Sequence, residues 1–389
     1  MLNKLQFPEG LSAEIFLRDY WQKRPLHIHG AFSGFTDPIE PEELAGLACE
    51  DDIAARIIVE QQNNHWDVRH NPFNESDFTS LPATNWCVLV QDLNKHIRDL
   101  DILLEAFNFL PSWRIDDVMV SYAAPNGTVG PHTDQYDVFL LQGMGSRRWQ
   151  INANSDDSAL IEGLDLRILK NFLPEQEFIL QPGDLLYLPA GVQHHGVSDE
   201  PCMTYSVGFR APSQIELIGD YIDHLTLKGS EPDDVRYADP SLSNNDPCGK
   251  ITNDALQGIK SLIHNMPDDD AAIQHWFGGF ITSTHQALTQ IPLEPETDCD
   301  ELIARLAAGE TLYRNPTSRF AYIENNDHTD LYIDGCHAQL DNQHSKFAQY
   351  ICNRRSFEPS ELDDWLLNTS NKMMLCAWFE IGLLEFNDD

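Results

Sequence analysis

The stretch Gly130-Pro131-His132-Thr133-Asp134 holds an imidazole and a carboxylate two residues apart. On a strand, residues two apart point to the same side, so His132 and Asp134 can converge on one metal ion. A second stretch, Gly191-Val192-Gln193-His194-His195-Gly196, lies about 60 residues further on, after a strand and a Pro-Ala-Gly turn. Two imidazoles and one carboxylate on one face leave three coordination positions open, the arrangement of non-haem Fe(II) oxygenases. Adjacent residues point in different directions, so only one of His194 and His195 need ligate. Spacing alone leaves that choice open. Arg147 follows His132 by 15 residues, at the start of a strand. Its permanently charged guanidinium suits bidentate capture of a carboxylate. Arg148 alternates to the opposite face.

The elements that must hold these residues are mostly strands. Val118–Tyr122, Val138–Gln142, Arg148–Ile151, Phe178–Leu180, Asp184–Leu188 and Thr204–Phe209 are short and rich in β-branched or aromatic residues. Turn signals such as Pro125-Asn126-Gly127 and Pro182-Gly183-Asp184 separate them. This pattern predicts an antiparallel barrel or jelly roll. Before it, Ser12–Trp21 predicts a short helix, and Leu26–His29 and Trp86–Gln91 predict strands. After Pro212 the period becomes helical. Ser213 with Glu216 is a capping-box signature, followed by the stripe Ile215, Ile218, Ile222 and Leu225. Further helices are expected at Asp254–Asn265 and Asp270–Thr284, with a loop at Ser230–Lys250 between the first two. From 293 onward, helices and short strands around Asp334-Gly335 suggest a winged-helix-like module. It lacks the basic stripe of a nucleic-acid reader.

Asp and Glu number 62 against 25 Lys and Arg, giving a net charge of −37. Such a surface repels nucleic-acid backbones and attracts basic partners. No apolar run approaches the ~20 residues of a membrane helix. The start, Met1–Gly10, lacks the apolar region of a secretory signal. Eight cysteines form no C-x-x-C pair, and no disulfide framework is expected. A reducing cytoplasmic setting is therefore the expectation. No G-x-G-x-x-G or P-loop is present.

Several segments carry a family resemblance: Tyr20–Leu26 (YWQKRPL), Leu110–Asp117 (LPSWRIDD), Val129–Gly145 (VGPHTDQYDVFLLQGMG), Pro182–His194 (PGDLLYLPAGVQH) and Tyr205–Pro212 (YSVGFRAP). Together they resemble the JmjC-type 2-oxoglutarate oxygenases of the cupin superfamily. In particular they are similar to the bacterial ribosomal oxygenases, which hydroxylate an arginine of large-subunit ribosomal protein number sixteen. The resemblance implies an α+β chain in three parts. Residues 1–212 would form a double-stranded β-helix (jelly-roll, cupin) catalytic domain, 213–292 a helical dimerisation region, and 293–389 a winged-helix-like domain. It makes His132, Asp134 and His194 the iron ligands, and so decides between His194 and His195. It makes Arg147 the partner of the distal 2-oxoglutarate carboxylate, with Ser121 and Thr204 as hydrogen-bonding neighbours. Thr204 stands where relatives carry an amide, and His195 where some carry Glu, so no role passes to His195. Fe(II), 2-oxoglutarate and O2 are the implied cofactor and cosubstrates.

A basic ribosomal protein suits a chain at −37. Tyr136, Asp137, Asp116 and Asp117 are the residues expected to receive a guanidinium side chain. The implied assembly is a homodimer without direct nucleic-acid contact. Two other readings share these residues. One is a JmjC histidine hydroxylase or lysine demethylase; the other is a non-catalytic metal-binding scaffold.

Overall fold

A computed structural model describes residues 4–61, 65–155, 159–164, 166–227, 251–264, 270–284, 288, 290–297 and 299–387. Twelve strands occupy the first half. They are β1 (Leu26–Ile28), β2 (Ala55–Gln61), β3 (His65–His70), β4 (Trp86–Val90), β5 (Ile115–Ala123), β6 (His132–Thr133), β7 (Asp137–Gln142), β8 (Arg147–Asn152), β9 (Gln176–Leu180), β10 (Leu185–Leu188), β11 (Gln193–Ser198) and β12 (Cys202–Phe209). They form an eight-stranded sheet, ordered β1-β10-β7-β12-β5-β4-β2-β3, and a four-stranded sheet, ordered β6-β11-β8-β9. All pairings in both sheets are antiparallel. The expected barrel strands are present, with ends shifted by a few residues.

Period-two alternation divides the large sheet. Val118, Val120, Phe139, Leu141, Tyr187, Tyr205, Val207 and Phe209 join a buried cluster on one face. Their neighbours Ser121, Leu140, Thr204 and Ser206 line a cavity on the other. Helices α1 (Ala13–Asp19), α2 (Pro41–Leu47), α3 (Glu75–Thr79) and α4 (Arg98–Leu103) belong to the same half. Ser12 caps α1, its hydroxyl accepting from the Ile15 N–H at 3.2 Å. Phe16 of α1 reaches Tyr187 with ring centroids 4.9 Å apart, and Phe139 lies 4.8 Å from Tyr187 and 4.9 Å from Phe107. This aromatic layer fixes the outer face of the sheet, and so which side chains are left to face inward.

The chain forms two compact units. One comprises residues 1–211, 293–317 and 350–389; the other comprises 212–292 and 318–349. The segment 293–389 thus contributes to both. In the second unit, α5 (Gln214–Leu227), α6 (Asn253–His264) and α7 (Asp270–Thr282) accompany a three-stranded meander. The capping box at Ser213 forms: its N–H donates to Glu216 Oε2 at 2.6 Å, and the Glu216 N–H donates to Ser213 Oγ at 3.2 Å. The loop expected at Ser230–Lys250 lies outside the described residues.

The first unit also takes in α8 (Asp300–Ala307) and β13 (Leu312–Arg314). The meander of the second unit is β14 (Phe320–Glu324), β15 (His328–Ile333) and β16 (Cys336–Asp341), leading into α9 (Asn342–Cys352). The chain then returns to the first unit through β17 (Ser356–Phe357), α10 (Pro359–Leu366), α11 (Thr369–Glu380) and β18 (Leu384–Phe386). The sheet β17-β13-β18 joins these segments. Arg98 pairs with Glu385, and Arg355 with the fully buried Asp101. The cysteine expectation needs correction: Cys299 and Cys376 form a disulfide across a sequence separation of 77. The fold brings together two residues that have no local motif to announce them. Among the described residues no helix is long and apolar enough to cross a membrane.

Phe139 is 1% exposed, at the centre of the aromatic layer. Phe139→Ala is expected to cost about 3–5 kcal/mol, as a large-to-small core substitution does. Urea unfolding reads this directly, and a cost below about 1 kcal/mol would show that the layer is not the core.

Candidate metal centre

Register places the first two ligating groups. His194 of β11 stands directly opposite His132 of β6. Their ring centroids are 4.2 Å apart. Asp134, just beyond β6, brings its carboxylate to both: Oδ1 lies 3.8 Å from His132 Nε2, and Oδ2 lies 3.5 Å from His194 Nε2. Ligand atoms of the three residues all fall within 4.8 Å of one another.

The backbone sets the tautomer of both rings. His132 Nδ1–H donates to the Gly130 carbonyl at 2.9 Å, and His194 Nδ1–H donates to the Val192 carbonyl at 3.0 Å. Each ring therefore presents a bare Nε2 lone pair toward the same carboxylate. Burial, and then the neighbouring His132, push His194 down to about 4, so it stays neutral near pH 7. Three acceptors facing one another with no proton between them is the donor set for a cation. The residues fit a divalent metal bound as two imidazoles and one carboxylate. His195 alternates outward on β11 and meets Phe172 edge-on, with centroids 6.0 Å apart.

A cavity of about 120 Å³ opens beside the triad. Its walls include Met119, Val129, Val138, Leu140 and Trp149, which are apolar, together with Ser121, Thr204 and Ser206. Arg147 is 3% exposed and projects into it. Its guanidinium donates to Ser121 Oγ at 3.2 Å, Thr204 Oγ1 at 3.4 Å and the Gly196 carbonyl at 3.4 Å. It also lies 5.0 Å from the centroid of the Trp149 ring. Its Nε has no hydrogen-bond partner, and among the described residues no carboxylate pairs with it. A buried cation without an anion is costly, so this position is built for an anionic guest.

Of the residues named from sequence, His132, Asp134, His194, Arg147, Ser121, Thr204 and Tyr136 all line this one cavity. Asp116, Asp117 and Tyr136 gather around Gly208. A Cβ there would lie 3.3 Å from Asp117 Oδ1, 3.8 Å from Tyr136 Cε2 and 3.9 Å from Asp116 Cβ. Burial raises the Asp117 carboxyl to about 6. Asp137 does not belong with them, and that expectation is corrected. It is fully buried on the opposite face of its strand. There it accepts from the Tyr187 hydroxyl at 2.6 Å and Gln22 Nε2 at 3.0 Å, and it pairs with Arg114 at 3.4 Å. Alternation explains this: Tyr136 and Val138 face the cavity, so Asp137 cannot.

Sequence reasoning passed over three further residues. Gln142 Oε1 accepts from the Thr204 hydroxyl at 3.2 Å and so orients it toward Arg147. Gly196 leaves room where a Cβ would come within 2.7 Å of the Trp149 ring and 2.9 Å of Arg147 Nε. A small residue two positions after His194, on the same strand face, was the available signal. Arg56 also lines the cavity, and nothing in its neighbourhood in sequence pointed to it.

Fold and triad define a cupin-type metal-binding barrel. Residues 102–217 match the JmjC domain family model, and residues 261–385 match the ROXA-like winged helix model. The chain is 35% identical over 367 residues to ribosomal protein uL16 3-hydroxylase of Escherichia coli K12, an alignment spanning 94% of this chain and 95% of that protein. Among solved structures, it resembles E. coli YcfD with a TM-score of 0.80 and 34% identity, covering 99% of this chain and all of that one. A structure of the E. coli ribosomal oxygenase YcfD in complex with cobalt and 2-oxoglutarate matches with a TM-score of 0.76 and 33% identity, covering 99% of both chains. The chain belongs to the JmjC-domain family of ribosomal oxygenases.

Gly196→Ala is expected to displace Arg147 or Trp149 without touching the triad. Affinity for a small dicarboxylate such as succinate should then fall about tenfold, the size of one charge-assisted hydrogen bond. Divalent-metal affinity should hold. Calorimetry on the metal-loaded protein separates the two, and unchanged succinate affinity would show that Arg147 does not depend on this gap.

Proposed function

We propose that this protein is an Fe(II)- and 2-oxoglutarate-dependent oxygenase that hydroxylates an arginine side chain of large-subunit ribosomal protein number sixteen. The observation that carries the reading is the pairing, in one small cavity, of a two-His-one-carboxylate donor set with a buried guanidinium that has no carboxylate partner among the described residues. The name of the E. coli relative supports the substrate class, and the cobalt and 2-oxoglutarate bound by YcfD support the cofactors.

In this reading His132, Asp134 and His194 hold the iron. Arg147, with Ser121 and Thr204, grips the far carboxylate of 2-oxoglutarate. Gln142 holds the Thr204 hydroxyl in place. When bound, the metal and cosubstrate supply the oxidising power to hydroxylate an unactivated C–H bond, with O2 consumed and succinate and CO2 released. The residues of this chain do the rest. Met119, Val138, Leu140 and Trp149 keep the cavity apolar and limit water. Asp117 and Asp116, beside Tyr136, offer charge and an aromatic face to an incoming guanidinium. The net charge of −37 draws a basic protein toward this rim.

The same reading assigns the helical region to dimerisation and places the enzyme in the cytoplasm, where its substrate is made. Ile215, Ile218 and Ile222 of α5 are exposed, as are Leu256, Ile259 and Ile263 of α6. Both sets recur at i, i+3 and i+7, the spacing of a packed helix face. A second copy of the chain would cover them.

The test is mass analysis of a basic fragment of the ribosomal protein, incubated with Fe(II), ascorbate and 2-oxoglutarate beside a His132→Ala control. Gain of one oxygen atom on one arginine, absent from the control, is the expected result. Oxygen on a histidine, or loss of a methyl group from lysine, would move the protein to another JmjC activity. Absence of both succinate and product from iron-loaded protein would favour the scaffold. The Asp117 role adds a pH signature. Its carboxyl, at about 6, is ionised above that value and neutral below it. Peptide kcat/KM should therefore fall as pH drops through about 6, and Asp117→Asn should remove that step.

A further inference from the structure

Arg56 is the second guanidinium of the cavity. It sits on β2, half-buried, and lines the same space as the triad and Arg147. Its Nε is buried without a partner, and among the described residues no carboxylate pairs with it. In a chain with 62 acidic residues, Arg56 shares this lack of an acid partner with Arg147, the other guanidinium of the cavity. Surface cations in such a chain find acids readily, as Arg148 does with Asp199 at 2.6 Å.

The strand register shows where Arg56 is aimed. Arg56 lies opposite Leu89, Leu89 opposite Ser121, Ser121 opposite Thr204, and Thr204 opposite Gln142. Directly opposed residues project from the same face of a sheet. Arg56 therefore points to the interior shared with Ser121 and Thr204, which hold Arg147. Its backbone is two strand spacings from Ser121, about 10 Å, and its long side chain crosses back toward the cavity. The two arginines approach one small cavity from different sheets.

One dianion has two ends to hold. Arg147 is fixed to Ser121 and Thr204 and takes one end. The other end belongs at the triad, where chelation of a metal by a 2-oxo acid leaves a carboxylate oxygen free. Resting on the cosubstrate reading above, we infer that Arg56 is a second anion anchor, pairing with the carboxylate at the metal-chelating end of 2-oxoglutarate. The fork of the guanidinium matches a carboxylate, and the half-buried setting strengthens the pair relative to one in water. Arg56 is thus a positioning residue for the cosubstrate, and it favours 2-oxo acids over dicarboxylates lacking the chelating end.

Calorimetry on Co(II)-loaded protein without oxygen tests this with two probes. 2-Oxoglutarate engages both arginines; oxalate occupies the chelating end alone. Arg56→Gln is expected to weaken both probes about tenfold, and Arg147→Gln to weaken 2-oxoglutarate while sparing oxalate. Unchanged affinity of Arg56→Gln for both probes overturns the inference. So does a loss seen only in the KM for peptide, which would assign Arg56 to the protein substrate. If the wild-type protein binds oxalate but not 2-oxoglutarate, the cosubstrate reading itself fails. Thermal melting checks the fold: removal of a cation with no acid partner should leave the midpoint of the metal-free protein unchanged or raised. If Arg56→Gln does not fold, Arg56→Lys carries the test. It keeps the charge, loses the fork, and should weaken both probes about threefold. No change in that variant overturns the inference.

Discussion

The centre depends on one cross-strand pairing, His194 opposite His132. In an antiparallel pair a slip of one residue turns every side chain to the other face. Such a slip would send His194 away from His132 and bring Gln193 or His195 in its place. The neighbouring strand β8 holds β11 in place, because His194 also pairs with Ile151 and Gly196 with Trp149. The other edge of the strand that carries His194 thus sets Trp149 beside Gly196, and Arg147 two residues earlier on the same face. Metal donors and anion anchor follow from the two pairings of β11, with β6 on one side and β8 on the other.

Charge explains why the alignment is useful. The barrel interior combines three lone-pair donors with the guanidiniums of Arg147 and Arg56, and among the described residues no acid pairs with either arginine. An apolar lining raises the energetic stakes of both. A divalent cation and a small dianion together satisfy what the side chains leave open. The net charge of −37 is of the opposite sign to these interior arginines, so the anion-holding positions are confined to the cavity's interior.

Much of this was legible in the sequence where chemistry is local. His132 and Asp134 follow from a period of two, and the strands from β-branched runs between Gly and Pro turns. Non-local facts were not legible. His194 and His195 are chemically alike and adjacent; only register separates them. Asp137 has the residue type of a guanidinium acceptor but the parity of the opposite face, where Tyr187, Gln22 and Arg114 engage it. Arg56 lies 76 residues before His132 and reaches the cavity only through the row that joins β2, β4, β5 and β12. The Cys299–Cys376 bond likewise depends on α8 and α11 meeting in space.

The central claim is that register delivers two imidazoles and one carboxylate to a single ion. Metal-edge X-ray absorption on the Co(II)-loaded protein measures it most directly. The account predicts scattering from two imidazole rings in the wild-type protein, one ring in His194→Ala, and still two in His195→Ala. Two rings remaining in His194→Ala, or a ring lost in His195→Ala, would contradict it.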